Sequence, residues 1–185
     1  MTLHTFVVLV ENVPGVLTRV ASLIRRRGFN IESLTVGHAE TPGVSRMTIV
    51  VATDDLGARR VEANLYKLIN VLRVDNLTGQ PSVSRDLALI KVTATRETRT
   101  EIMQLAEAYR ARIVDVAGNS LVVEVTGSEE KVDSLAEVLR PYGILEMART
   151  GRVTMARGAV QKPAMTRTFE DVDVDKEDAA VSYSV

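Results

Sequence analysis

One stretch near the N-terminus constrains this chain more than any other. Phe6 to Val10 is a continuous apolar run of the length of a buried strand, and Asn12-Val13-Pro14-Gly15 ends it abruptly. From Gly15 onward Val16, Leu17, Val20, Ala21, Leu23 and Ile24 recur at helical spacing, with Arg19, Arg25 and Arg26 on the polar face. Arg25-Arg26-Arg27 falls in the last turn, where cations complement the exposed carbonyls, and Gly28 supplies the left-handed residue that stops the helix. A second strand then opens at Asn30-Ile31-Glu32. The stretch therefore folds as strand, tight turn, amphipathic helix and strand, with one asparagine at each junction. Asn12 and Asn30 set two polar amides at neighbouring ends of an otherwise apolar unit, a pattern that suits a small zwitterion.

The start of the helix is the chemically informative end. Its first-turn N–H groups have no partner within the helix and form a ready site for a carboxylate. Gly15 there has two readings, close approach of a ligand to the backbone or a dihedral that other residues resist. Asn12 is equally suited to a turn or an N-cap, and Asn30 to capping the preceding helix. The three arginines fit the helix dipole better than a nucleic-acid patch, because a net charge of −1 gives no long-range attraction to polyanions.

The same unit recurs. Val44 to Thr53 is strand-like, Leu56 to Leu68 helical and Val71 to Leu77 a fourth strand, which completes a βαββαβ order. After a short Thr78-Gly79-Gln80-Pro81-Ser82 linker, Leu87 to Thr95 begins a second round. Its helices are expected over Glu97 to Tyr109 and Glu129 to Leu139. Its strands are expected over Arg112 to Ala117, Leu121 to Thr126 and Ile144 to Met155. Thr18, Leu23 and Ile31 match Thr100, Leu105 and Ile113 at one constant offset of roughly eighty residues, the mark of a duplication. The second copy has Thr95-Arg96-Glu97-Thr98-Arg99 where the first has Asn-Val-Pro-Gly, so no equivalent ligand site is expected there. The fold class is α+β, two consecutive ferredoxin-like domains: residues 1–78, residues 79–158, and an acidic, aperiodic tail over 159–185 expected to be disordered.

That fold hosts unrelated functions, so exclusions matter. An RNA-recognition module needs exposed aromatics on its central strands, and Ser45 to Val51 has none. No Cys is present, and His4 and His38 stand in separate strands at positions expected to face solvent, so a zinc site is not expected. No phosphate loop or serine nucleophile motif occurs. Asp171-Val172-Asp173-Val174-Asp175 imitates the opening of a calcium loop, but Lys176 replaces the required Gly and Ser182 the final Glu. The absence of a long apolar stretch, a leader or cysteines makes the cytoplasm the expected compartment.

Several runs together resemble a known family: Leu9-Val10-Glu11-Asn12 with Pro14-Gly15-Val16-Leu17, Arg27 to Val36, Ser45-Arg46-Met47-Thr48-Ile49, and Lys67 to Val74. They are similar to the small regulatory subunit of acetolactate synthase, over a span from the N-terminus to about Gly158. The resemblance implies an N-terminal ACT domain that dimerises, a related C-terminal domain, and a non-catalytic chain that activates a catalytic large subunit. That subunit is expected to hold thiamine diphosphate, Mg²⁺ and FAD and to condense pyruvate with a second 2-oxo acid. Valine is the expected feedback effector, held between two ACT domains by Asn12, Gly15, Val16, Leu17, Asn30 and Ile31. In this reading first-turn N–H groups and the Asn12 amide take the carboxylate, Asn30 and nearby carbonyls take the ammonium, and Val16, Leu17 and Ile31 line the side-chain pocket. The alternative is a stand-alone ACT-domain sensor of another enzyme or of a transcription system.

Overall fold

The first strand is longer than its apolar run. In the computed structural model, which describes residues 2–158, β1 spans Thr2–Glu11, and His4, Phe6, Val8 and Val10 share one face of it. The described residues divide into two units, residues 2–83 with 154–158, and residues 84–153.

In the first unit β1 is followed by α1 (Val16–Arg26), β2 (Ile31–His38), β3 (Val44–Thr53), α2 (Asp55–Leu65) and β4 (Val71–Asn76). The sheet order is β2-β3-β1-β4 with every pairing antiparallel, so the central strands are the two most apolar ones. Phe6, Val8 and Val10 meet Met47, Ile49 and Val51 on the face that packs against Val20 and Ile24 of α1 and Val61 and Leu65 of α2. Each such aliphatic side chain contributes about 1.5–3 kcal/mol by leaving water. α1 stops as its sequence dictates: Gly28 takes φ +77°, its N–H reaches Arg25 O at 3.0 Å, and Phe29 N–H reaches Ile24 O at 3.2 Å. α2 starts on an Asp54 cap, whose carboxylate accepts from Gly57 N–H at 2.7 Å.

The second unit repeats the plan with β5 (Ser82–Thr93), α3 (Arg99–Ala108), β6 (Arg112–Val116), β7 (Ser120–Gly127), α4 (Glu129–Leu139) and β8 (Ile144–Arg149), in the order β6-β7-β5-β8. The α+β, twice-repeated βαββαβ architecture is the one expected. Two strands differ: β5 begins at Ser82, at the end of the expected linker, rather than at Leu87. The single last strand expected over Ile144 to Met155 is two, β8 and a short β9 (Val153–Ala156) that pairs with β5. Gly151 at φ +82° breaks it, and the Thr150 hydroxyl donates to Gly151 O at 2.9 Å and lies 3.3 Å from the Asp86 carboxylate. Arg46 donates to Thr154 O at 2.8 Å, and Arg157 N–H to Pro81 O at 2.9 Å.

His4 corrects a second expectation. His38 faces solvent, but His4 is 3% exposed because β1 continues inward-facing alternation beyond the apolar run. Neither ring nitrogen is hydrogen-bonded among the described residues, and Nε2 lies 3.8 Å from the Asp55 carboxylate. The tail over 159–185, with its calcium-loop imitation, lies outside the described residues.

Candidate functional site

The turn after β1 is held from below by a polar network. Glu11 and Asn70 are both almost fully buried, the Asn70 amide donates to the Glu11 carboxylate, and Arg19 donates to Asn70 Oδ1 at 2.6 Å. Glu11 N–H also reaches Asn70 O at 3.0 Å. These side chains therefore fix the end of β1 against the start of β4 and the first turn of α1. Buried polar groups are tolerated only when so partnered, which makes the turn rigid.

Above this network the predicted ligand groups are unoccupied by the protein itself. Asn12 uses its backbone N–H on Gly43 O at 2.8 Å, and its side-chain amide makes no hydrogen bond among the described residues. Gly15, not Asn12, is the N-cap of α1, with φ +84° and no side-chain cap. A Cβ added there would meet nothing within 4 Å, so the dihedral rather than crowding requires glycine. Val16 N–H reaches back to Val13 O at 3.5 Å, while the N–H groups of Leu17 and Thr18 find no acceptor among the described residues. Val16 is 3% exposed and packed in the core, so it offers a ligand its backbone only; Leu17 is 44% exposed.

Asn30 stands elsewhere. Its Nδ2 donates to the Glu32 carboxylate at 2.7 Å, which leaves Oδ1 as the atom able to accept from a ligand. It does not cap α1, whose last carbonyls are taken by backbone N–H groups. Ile31, half-buried beside it, pairs with Val51.

The two asparagines are not neighbours. They lie at opposite ends of α1, whose 11 residues span ~16 Å. The sheet register agrees: Glu11 pairs with Val44 and Ile31 with Val51, seven positions apart and hence ~23 Å along the strand. One copy of the chain brings Asn12, Gly15, Val16 and Leu17 together, and Asn30 with Ile31, but not the two groups with each other.

The corresponding turn of the second unit is closed. Thr95 and Thr98 bond each other reciprocally, N–H to Oγ1 at 3.0 and 3.3 Å, and Arg99 donates to Ala117 O and Gly118 O. Those groups have spent on one another what the first turn leaves open. Among the described residues no cluster of three or more His, Cys, Asp or Glu is arranged to hold a metal ion, and no helix is long and apolar enough to cross a membrane.

The Glu11–Asn70–Arg19 network was not foreseen, since its partners lie 59 and 51 positions apart in sequence. Its only advance signal is a Glu at the end of an apolar strand and an Asn just before another.

Comparison with known proteins gives one consistent result. Residues 6–73 match the family model described as the AHAS small subunit-like ACT domain, and residues 85–158 the one described as the small subunit of acetolactate synthase. A relative from Archaeoglobus fulgidus, a probable acetolactate synthase small subunit, is 56% identical over 155 residues, covering 84% of this chain and 97% of its own. The acetolactate synthase small subunit of Bacillus subtilis is 48% identical over 164 residues, 88% of this chain and 95% of the relative. Among solved structures, the acetolactate synthase small subunit from Thermotoga maritima superposes with a TM-score of 0.81 at 42% identity, covering 86% of this chain and all of that one.

Proposed function

This chain belongs to the acetolactate synthase small-subunit family, and from that premise we propose that it is a valine-responsive regulator whose effector site is shared by two copies. As a small subunit it is the regulatory, non-catalytic partner of the catalytic large subunit. Thiamine diphosphate, Mg²⁺ and FAD belong, in this reading, to that large subunit, and the cytoplasm is the compartment in which the two meet.

The observation that carries the shared site is the separation of Asn12 from Asn30. β2 is an edge strand of the first sheet, with Glu32, Val36, Gly37 and His38 exposed. Two β2 strands paired antiparallel about a two-fold axis lay the Asn30 end of one against the His38 end of the other. His38 pairs with Ser45, beside the Val44–Glu11 pair, so the His38 end is also the Asn12 end. Asn12, Gly15 and Leu17 of one copy then face Asn30 and Ile31 of its partner.

Each half supplies what the other lacks. The free N–H groups of Leu17 and Thr18, the positive end of α1 and the Asn12 amide suit a carboxylate. The Asn30 Oδ1 left free by Glu32 suits an ammonium, and Leu17 with Ile31 suits a branched aliphatic side chain. A ligand bridging the copies favours whichever dimer arrangement it fits, and a coupling of ~1–3 kcal/mol is enough to alter the partner enzyme's activity usefully.

The test is acetolactate formation by the large subunit alone, with this chain, and with this chain plus valine. The expected result is a rise on adding the chain that valine reverses. In calorimetry, Asn12→Ala and Asn30→Ala are each expected to weaken valine ~5- to 150-fold by removing one polar contact to a charged group. Equal affinity in both variants and the parent chain would overturn the site.

A further inference from the structure

The two halves of the duplication differ along one side of their first helix. At the offset that aligns Thr18 with Thr100, Ile24 and Phe29 of the first unit become Ala106 and Ala111 of the second. Where those large side chains are missing, an open notch of about 520 Å³ lies between α3 and β6, lined by Ala106, Ala111 and Ile113. Ala21 becomes Met103, which stands 48% exposed at the rim of this notch, and β6, an edge strand, adds exposed Val114 and Val116. One face thus carries both a protruding apolar side chain and a hole, which a second copy of the same face can fill.

The charges of α3 repeat that logic. Arg99, Met103 and Glu107 recur every four residues and so run down one side of the helix. It is the side towards β6: Arg99 donates to Ala117 O and Gly118 O just past that strand, and Met103 and Glu107 line the notch. Both charges occupy the ends that the helix dipole disfavours, the cation in the first turn and the carboxylate in the last. The Glu107 carboxylate makes no ion pair or hydrogen bond among the described residues. A stripe reading positive, apolar, negative becomes its own complement when turned end for end.

We propose that α3 and β6 of the second unit pack on the same elements of a second copy, with α3 antiparallel to α3 about a two-fold axis at Met103. Arg99 of each copy then meets Glu107 of the other, ~6 Å to either side of the axis. Met103, unbranched and adaptable, enters the notch opposite it. The other charges at this edge are compatible. Arg112 and Asp115 pair with Glu124 and Val122 on the sheet face away from α3, since the intervening Val123 is in the core. Glu101 is bonded to the Tyr142 hydroxyl. Arg110, past the end of one α3, comes level with Arg96 and Glu97, of opposite sign, before the start of the other. The contact does not depend on how β2 is used.

The chain has no cysteine, so Met103→Cys in the full-length protein reads the axis directly. A disulfide needs Cα atoms within about 7 Å, which position 103 meets only against itself in a second copy. Mild oxidation at low salt is expected to link most of the Met103→Cys chains into covalent pairs. Glu101→Cys, on another side of α3, is expected to link at least about tenfold less. Adding Glu107→Arg to Met103→Cys sets like charges against Arg99 at both ends of the contact, while suiting the dipole of its own helix and so keeping the fold. It is expected to slow linking at least about fivefold, an effect that shrinks at about 0.5 M NaCl, where screening extends only ~4 Å. Equal linking at positions 101 and 103, linking that Glu107→Arg leaves unchanged at low salt, or no covalent pairs at all would each overturn the contact, the last leaving the notch to a different partner.

Discussion

At the scale of single residues, Gly15 makes the sharpest case because two readings of it give different numbers. With φ +84° and open space around an added Cβ, Gly15→Ala meets a dihedral cost and no clash. The expected loss is ~1–2 kcal/mol, seen as a lower urea midpoint at unchanged slope. A change no larger than a few tenths would mean that the turn relaxes and that glycine is there for the ligand alone. Asn12, Gly15 and Asn30 were legible in the sequence because junction chemistry is local: a turn, a helix start and a strand start each announce themselves within a few residues. Glu11 and Asn70 were not, since their pairing is set by where β1 and β4 meet. His4 was misjudged for a related reason. Period-two alternation continues inward past the last apolar residue, and only the length of the neighbouring β3 shows how far.

Elements show the same divide between local and tertiary causes. α1 and α4 follow their caps and stops closely, and β3 spans the expected residues, because each boundary is marked by its own turn chemistry. The break between β8 and β9 was hidden: Thr150-Gly151-Arg152 is unremarkable in sequence, and the Asp86 carboxylate that accompanies it comes from another strand. Within α2, burial raises the Glu62 carboxyl above its ordinary value, with Asp75 adding to the effect. A carboxyl raised in the folded state favours folding while protonated, and that contribution is lost as pH climbs through the folded value. Glu62→Gln is therefore expected to raise the urea midpoint at neutral pH, with the gain vanishing in acid below the ordinary carboxylate range. A gain that is the same at both pH values would assign it to packing instead.

For the molecule as a whole, the duplication is legible because periodicity survives even where the turn chemistry diverges. The divergence is chemical, with Thr95 and Thr98 satisfying each other where Asn12 and the first turn of α1 stay open. One valine per chain, not two, is therefore expected by calorimetry, and Thr95→Ala/Thr98→Ala is expected to leave that stoichiometry unchanged. A value near two would give the second unit a site of its own. The opposed placement of Asn12 and Asn30 has one more consequence, and it belongs to genetics. Suppose one allele carries Asn12→Ala and a second carries Asn30→Ala, each insensitive to the effector when alone. Expressed together, a mixed pair gathers both lesions into one of its two sites and leaves the other wholly wild type, so two defective genes are expected to complement each other and restore part of the feedback that neither can provide.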